Sequence, residues 1–267
     1  VKSIEVGRSE MCYIERGEGI PLLLVHGFPL DHSMWTAQID RFCTRCRVIA
    51  PDLPGFGRSP AIGDKVGMAQ FADELTELLD VLEIAEPVVF CGLSMGGYIA
   101  FQFWRRHRSR LRGLVLCDSR ATADSPEAAQ ARLAAADRVL REGPAALAES
   151  MLPKLFCEAT RQQRPELAEA MQSVILACNR RGVAAAARGM AERPEMTGEL
   201  PQIDCPTLVI AGENDVISPP DEMRRLAQAM PRASFVDVRG AGHMAPLENP
   251  AEVNAAMGAF LATLADA

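Results

Sequence analysis

Six short apolar runs recur along the chain, each stopping at a polar residue, a proline or a glycine. Pro21 to Val25 (PLLLV) runs into His26 and Gly27, and Arg47 to Ala50 (RVIA) into Pro51 and Asp52. Pro87 to Cys91 (PVVFC) ends at Gly92, and Leu114 to Cys117 (LVLC) at Asp118. Thr207 to Ala211 (TLVIA) ends at Gly212, and Ser234 to Val238 (SFVDV) at Arg239 and Gly240. These runs lack the polar alternation of a half-exposed sheet, so they read as parallel strands covered on both faces. Upstream, Ile4 to Val6 and Met11 to Glu15 do alternate, which predicts a short edge hairpin turning near Gly7 to Ser9.

Helical spacing fills the gaps between the runs. Met68 to Leu82 places Phe71, Leu75, Leu78, Leu79 and Leu82 on one face. Tyr98 to His107, Asp221 to Met230 and Asn249 to Leu264 follow later runs. Alternating strands and helices imply right-handed βαβ units, hence an α/β fold with a mostly parallel central sheet flanked by helices. One stretch breaks the rhythm. Residues 121–200 contain no strand-like run, are rich in Ala, Arg and Glu, and carry breakers at Pro126, Gly143, Pro144, Pro153, Pro165, Gly182 and Pro194. They read as several helices inserted between two strands of one sheet, rather than as a separate helical domain. The expected organisation is a core of 1–120 and 201–267 with a helical cap at 121–200.

Composition narrows the function classes. The 267 residues carry 28 Lys and Arg against 35 Asp and Glu, a formal net charge of −7. A chain this acidic lacks the basic footprint of a nucleic-acid binder. No apolar run approaches the roughly 20 residues that span a bilayer, so no membrane partner is expected. Val1 to Ile14 mixes charged and apolar residues without a signal-peptide core. Cys12, Cys91 and Cys117, among eight cysteines, lie in or beside strand-like runs, as small buried thiols in a reducing compartment do. Together these features predict a cytoplasmic protein. Cys43 and Cys46 form a lone CxxC; a structural zinc normally needs a second ligand pair, so no metal is expected.

The chemistry concentrates at the ends of the apolar runs. Gly92 to Gly97 (GLSMGG) is a G-x-S-x-G between a buried strand and a helix. There the glycines permit a tight turn, and the hydroxyl of Ser94 projects at the carboxyl end of the strand, beside the helix N-terminus. A serine hydroxyl needs a base to become a nucleophile, and the chain has four histidines. His107 sits in a charged helix end and reads as solvated. His32 lies in a loop, lining a pocket or capping the next helix. His26 follows a strand directly, which suits a role in orienting backbone. His243, in the loop after the last strand, is the best base.

An acid must in turn orient that base, and open α/β sheets build their sites at the carboxyl ends of the strands. Asp204 precedes its strand and fails this test; Asp52, Asp118 and Asp215 pass. Asp215 is favoured, with Asp118 the alternative beside the nucleophile's strand. Two N–H donors are needed for an oxyanion. Met95 follows the nucleophile, and Phe28 lies in the loop after the Pro21 to Val25 strand, where Pro29 has no N–H to offer. Phe28, Trp35, Met151 and Leu155 are expected on an apolar pocket wall, with Met95, Leu152 and Phe156 as further candidates. Arg120 reads as an ion-pairing residue before a substrate contact.

With these residues in view, the chain resembles the α/β-hydrolase superfamily over essentially its whole length. Five blocks carry the resemblance in order: LLLVHGF at 22–28, APDLPGFGRS at 50–59, CGLSMGG at 91–97, LVIAGEND at 208–215 and GAGH at 240–243. The resemblance implies Ser94 as nucleophile, Asp215 as acid, His243 as base, Phe28 and Met95 as oxyanion donors, and residues 121–200 as a cap over the acyl pocket. Ser94 stands where haloalkane dehalogenases and epoxide hydrolases use Asp. GLSMGG is similar to 3-oxoadipate enol-lactonases, whose oxyanion segment more often differs from His26-Gly27. HGFP with SMGG is also similar to small carboxylesterases and cofactor-free perhydrolases. The expected activity is a carboxylesterase acting on a small-molecule ester or lactone, without a cofactor. Enol-lactone hydrolysis and perhydrolysis are alternatives, and a small-molecule receptor on the same fold is the non-enzymatic one.

Overall fold

The computed structural model describes residues 1–7 and 9–265. Eight strands form one sheet: β1 (Lys2–Val6), β2 (Ser9–Arg16), β3 (Ile20–Val25), β4 (Cys46–Pro51), β5 (Val88–Leu93), β6 (Leu111–Cys117), β7 (Thr207–Gly212) and β8 (Ala233–Val238). Their spatial order is β1-β2-β4-β3-β5-β6-β7-β8. All pairs from β4 to β8 are parallel, while β1–β2 and β2–β4 are antiparallel. The six predicted runs are the parallel strands. The edge hairpin forms, with Val6 opposite Ser9; Arg8 in its turn lies outside the described residues. Within the hairpin only β1 is an edge strand, because β2 also pairs with β4.

The core helices are α1 (Thr36–Phe42), α2 (Met68–Val81), α3 (Met95–His107), α9 (Pro220–Ala229), α10 (Ala245–Glu248) and α11 (Pro250–Ala265). Between β6 and β7 lie α4 (Pro126–Glu142), α5 (Ala145–Leu155), α6 (Glu158–Gln163), α7 (Pro165–Ala177) and α8 (Arg180–Ala191). Alternate residues of each strand face opposite sides of a pleated sheet. Leu23, Val25, Phe90, Leu114 and Val209 accordingly pack with α2, α3 and α9, and Leu22, Leu24, Val89, Val115 and Leu208 with α1 and α11. Both faces are dry, and this is why the strands read as unbroken apolar runs. β8 departs from that reading. It closes the far edge of the sheet, and most of its residues are partly exposed.

Three details differ from the sequence reading. α3 starts at Met95, directly after Ser94, rather than at Tyr98. Pro153 lies inside α5 instead of ending it. Gly182 lies within the first turn of α8, where a Cβ would stand 2.0 Å from the carbonyl oxygen of Gly55. It is a contact point between the inserted helices and the loop after β4, not a breaker. No helix among the described residues is long and apolar enough to cross a membrane.

β5 occupies the centre of the sheet, and its Phe90 is fully buried with its ring 5.1 Å from that of Phe103 in α3. Phe90→Ala is expected to lower unfolding free energy by about 3–5 kcal/mol, measured by urea denaturation. A loss under about 1 kcal/mol contradicts this packing.

Candidate active site

Between Val88 and Trp104 every residue is buried except Ser94. The cause is local geometry. At Gly92 a Cβ would stand 2.4 Å from the backbone of Gly96, and at Gly96 a Cβ would stand 2.4 Å from the carbonyl oxygen of Val25. Only glycine lets α3 come this close to β5 and β3. The turn joining them is forced tight, and Ser94 takes φ 52°, ψ −110°, a conformation that costs a non-glycine residue about 1–3 kcal/mol. Its backbone is bonded throughout. The Ser94 amide donates to Cys117 O at 2.9 Å, and the Ser94 carbonyl accepts from the Ser119 hydroxyl at 2.9 Å and from the amides of Gly97 and Tyr98. Strain in the main chain is thus held by its neighbours, and the side chain alone reaches toward solvent.

Three strand ends beyond β5 carry the other candidates: Asp118 after β6, Asp215 after β7 and His243 after β8. His243 is 2% exposed, and its Nδ1 lies 2.8 Å from Asp215 Oδ2. The other oxygen of Asp215 accepts the amides of Ile217 at 2.7 Å and Ser218 at 3.0 Å. An ionised carboxylate accepts only, so three donors fix its orientation. Its partner nitrogen is therefore Nδ1–H, which leaves Nε2 as the basic atom of a neutral ring.

Asp118 is the acid the sequence left open, and the structure gives it a different place. It is fully buried, and Oδ1 accepts the Gly212 amide at 2.7 Å while Oδ2 has no hydrogen-bond partner. Burial first, and then the charge of Asp215, push its pKa well above the usual carboxylate range. Its carboxyl braces the end of β7 through the Gly212 bond.

The oxyanion candidates lie on the other flank. Met95 is the first residue of α3, so its amide has no intrahelical acceptor. The Phe28 amide donates to no other group among the described residues. His26 organises that loop: Nδ1 donates to Gly27 O at 2.9 Å and Nε2 accepts the Leu53 amide at 3.0 Å. Burial, the main influence, pushes the His26 pKa down against the opposing effect of the Gly27 bond. His32 is held by Asp52, whose Oδ1 accepts its Nδ1 at 2.6 Å and its amide at 3.0 Å. That bond raises the His32 pKa above 6.5, with burial opposing it. Burial disfavours the charge of Asp52, but the His32 bonds and the Arg58 amide prevail and hold its pKa below the ordinary value.

Other expectations resolve as follows. Trp35 is fully buried with Leu22, Leu24 and Phe42, so it is core rather than pocket wall. Leu155 is likewise buried, and its carbonyl accepts the Met244 amide at 3.1 Å. Met151 is partly buried beside the same cluster, and Phe28 packs partly exposed against Phe56, ring to ring at 6.1 Å. His107 is not free in solvent: its Nε2 lies 2.7 Å from Asp73. Arg120 pairs with Glu222. Asp31, His32 and Asp52 could present three metal-ligand atoms within 4.8 Å of one another, but these atoms already bond to one another and to Ser33. All eight cysteines are free thiols. Sequence reasoning missed Glu248. This buried carboxylate accepts the amides of Gly242 and Met244, on either side of His243. An acidic residue one turn into the helix that follows the base was the available signal.

Of Ser94, Asp215 and His243, only Asp215 lines either of two cavities. One of about 590 Å³ lies between the α5–α6 junction and the loop of Asp215, and one of about 420 Å³ lies against Arg120, Leu200, Glu222 and Leu226.

Comparison with known proteins agrees with this architecture. The model of the alpha/beta hydrolase family matches residues 22–256. A thermophilic esterase from Thermogutta terrifontis, solved with malate bound, superposes with TM-score 0.97 at 46% identity, covering 99% of both chains. The enol-lactonase from Burkholderia xenovorans LB400 superposes with TM-score 0.91 at 29% identity, covering 98% of this chain and 100% of that one. 3-Oxoadipate enol-lactonase 1 of Acinetobacter baylyi is 26% identical over 91% of this chain and 90% of its own length.

The two loop histidines make a testable pair. In NMR titration His26 is expected to titrate below 6.5 and His32 above it. The His32–Asp52 contribution to stability is complete below pH 6.5 and fades as pH rises through the folded value of His32. Neutral His26 has the opposite sign, so stability falls as pH drops below 6.5. Coincident titration of both rings near 6.5 contradicts these environments.

Proposed function

The chain belongs to the alpha/beta hydrolase family, and from that membership we propose that it is a serine hydrolase cleaving carboxylic esters of small to medium acyl groups. The reading is supported by where these residues stand along one edge of the sheet. A strained, partly exposed Ser94 stands at the central strand end, and a buried His243–Asp215 pair bonded at 2.8 Å stands at the strand ends beyond it. The esterase at 46% identity favours esters over other substrates of the fold. The enol-lactonase at TM-score 0.91 keeps cyclic esters in view, since a lactone is opened by the same attack.

In the proposed reaction His243 Nε2 takes the proton of Ser94 Oγ as the oxygen attacks the ester carbonyl carbon. Asp215 keeps Nδ1–H bonded and stabilises the imidazolium that forms. The amides of Phe28 and Met95 donate to the oxyanion, each typically worth about 3 kcal/mol in the transition state. The tetrahedral intermediate collapses, the alkoxide leaves with the proton from His243, and the acyl group stays on Ser94. Water then loses a proton to His243, attacks the acyl carbon and releases the acid, restoring the serine. Every group required comes from the chain itself. Phe28 and Met151 are assigned to the acyl wall, and the helices of residues 121–200 to its cover.

Ser94→Ala is expected to lower turnover of p-nitrophenyl acetate and butyrate by at least about 10⁴-fold with an unchanged circular dichroism spectrum. Asp215→Asn is expected to lose about 10³–10⁴-fold, and Asp118→Asn less than about tenfold, since an amide oxygen can keep the Gly212 bond. Turnover surviving in the serine variant, or a larger loss from Asp118→Asn than from Asp215→Asn, overturns the assignment. A single burst without turnover in the wild-type chain indicates a receptor instead. An enol-lactone and a peroxide trap, run beside the esters, rank the remaining substrates.

A further inference from the structure

Glu248 is 3% exposed at the end of α10 and accepts three backbone amides through its two carboxylate oxygens. Oε1 takes Gly242 N at 2.8 Å and Met244 N at 3.2 Å, and Oε2 takes Cys157 N at 2.9 Å. The first two amides flank His243. The third belongs to the α5–α6 junction in the inserted helices. Further bonds join the same two segments. Met244 N donates to Leu155 O at 3.1 Å, the Cys157 thiol to Gly240 O at 3.1 Å, and Arg164 Nη2 to Glu248 O at 2.5 Å. The approach is close: at Gly242 a Cβ would stand 2.7 Å from Cys157 N.

We propose that Glu248 is a positioning residue for the base, one carboxylate that clamps the backbone on both sides of His243 and latches the inserted helices onto the same loop. Seating of the cap and orientation of the imidazole are then set together. This rests on the assignment of His243 as base. Chemistry dictates the residue type. Three N–H donors converge on the group, and a carboxylate offers acceptors only. The isosteric amide has a single oxygen, so its NH2 must face either the loop amides or the Cys157 amide. That sets an NH2 against a buried donor, which turns the side chain and loosens its hold on both segments. A displacement of about 1 Å in a catalytic group can cost on the order of a hundredfold in rate.

The test is Glu248→Gln in the full chain, assayed on p-nitrophenyl butyrate at a temperature where circular dichroism shows it folded. Expected are a kcat about ten- to hundredfold below wild type with KM within about threefold, and parallel slowing of Ser94 labelling by a fluorophosphonate. Hydrogen exchange should show Cys157 and Gly242 losing protection together, whereas Asp215→Asn keeps Cys157 protected. A second variant guards against failure to fold. Cys157 has φ −64° and follows an extended Phe156, so its backbone accepts proline; Cys157→Pro removes the amide donor, and its ring, standing in place of the hydrogen, pushes the Glu248 carboxylate aside. Its kcat should fall at least about fivefold below that of Cys157→Ala, which keeps the donor. Glu248→Gln with kcat within about twofold of wild type overturns the proposal, as does loss of protection at only one amide. If wild type itself is neither labelled nor active, the serine-hydrolase reading fails instead.

Discussion

Two carboxyl groups buried at adjacent strand ends cannot both be charged without strong mutual repulsion, and the site depends on which one is. Backbone amides distinguish the two. Asp215 has two main-chain donors and the His243 ring around its oxygens, whereas Asp118 has one donor and an oxygen with no partner. Burial and the neighbouring Asp215 push the Asp118 pKa well above the usual carboxylate range. Asp118 braces β6 and β7, and its Gly212 bond helps hold the strand end from which the Asp215 loop departs. Its backbone carries a positive φ of 46°, as Ser94 does with 52°. The strained residues at the site's rim thus sit at neighbouring strand ends, each tied across to the next strand.

This competition explains why much of the site was legible in the sequence and this part was not. Parallel strands buried on both faces announce themselves as apolar runs, and their ends are where polar residues must appear. That is enough to nominate Ser94, His243 and a short set of acids. Choosing among the acids needs the amides of Ile217, Ser218 and Gly212, and a backbone donor has no signature in side-chain identity. The same limit applies to Trp35 and Leu155. An aromatic or aliphatic residue beside a motif reads equally as wall or core, and only the packing around Leu22, Leu24 and Phe42 shows Trp35 to be core. The helix after His32 received no bounds, because seven residues after a 3-10 turn are too few to establish a period. Gly182 was misread because a glycine that permits close packing looks the same in a sequence as one that ends a helix.

The buried anions of the site share one mode of stabilisation. Among the described residues, neither Asp215 nor Glu248 pairs with a lysine or arginine; apart from His243, their partners are main-chain amides. The consequence is geometric as much as energetic. A long cationic side chain can swing with its partner, but an amide is fixed by the chain that carries it, so each carboxylate reports the position of specific backbone segments. Asp215 ties the imidazole to its own loop. Glu248 ties the two sides of the imidazole's loop to the inserted helices. A preorganised field of this kind needs no rearrangement when charge develops on the ring, and such preorganisation is where electrostatic catalysis draws most of its effect. It also means that α5 and α6 are tied to the His243 loop through main-chain bonds.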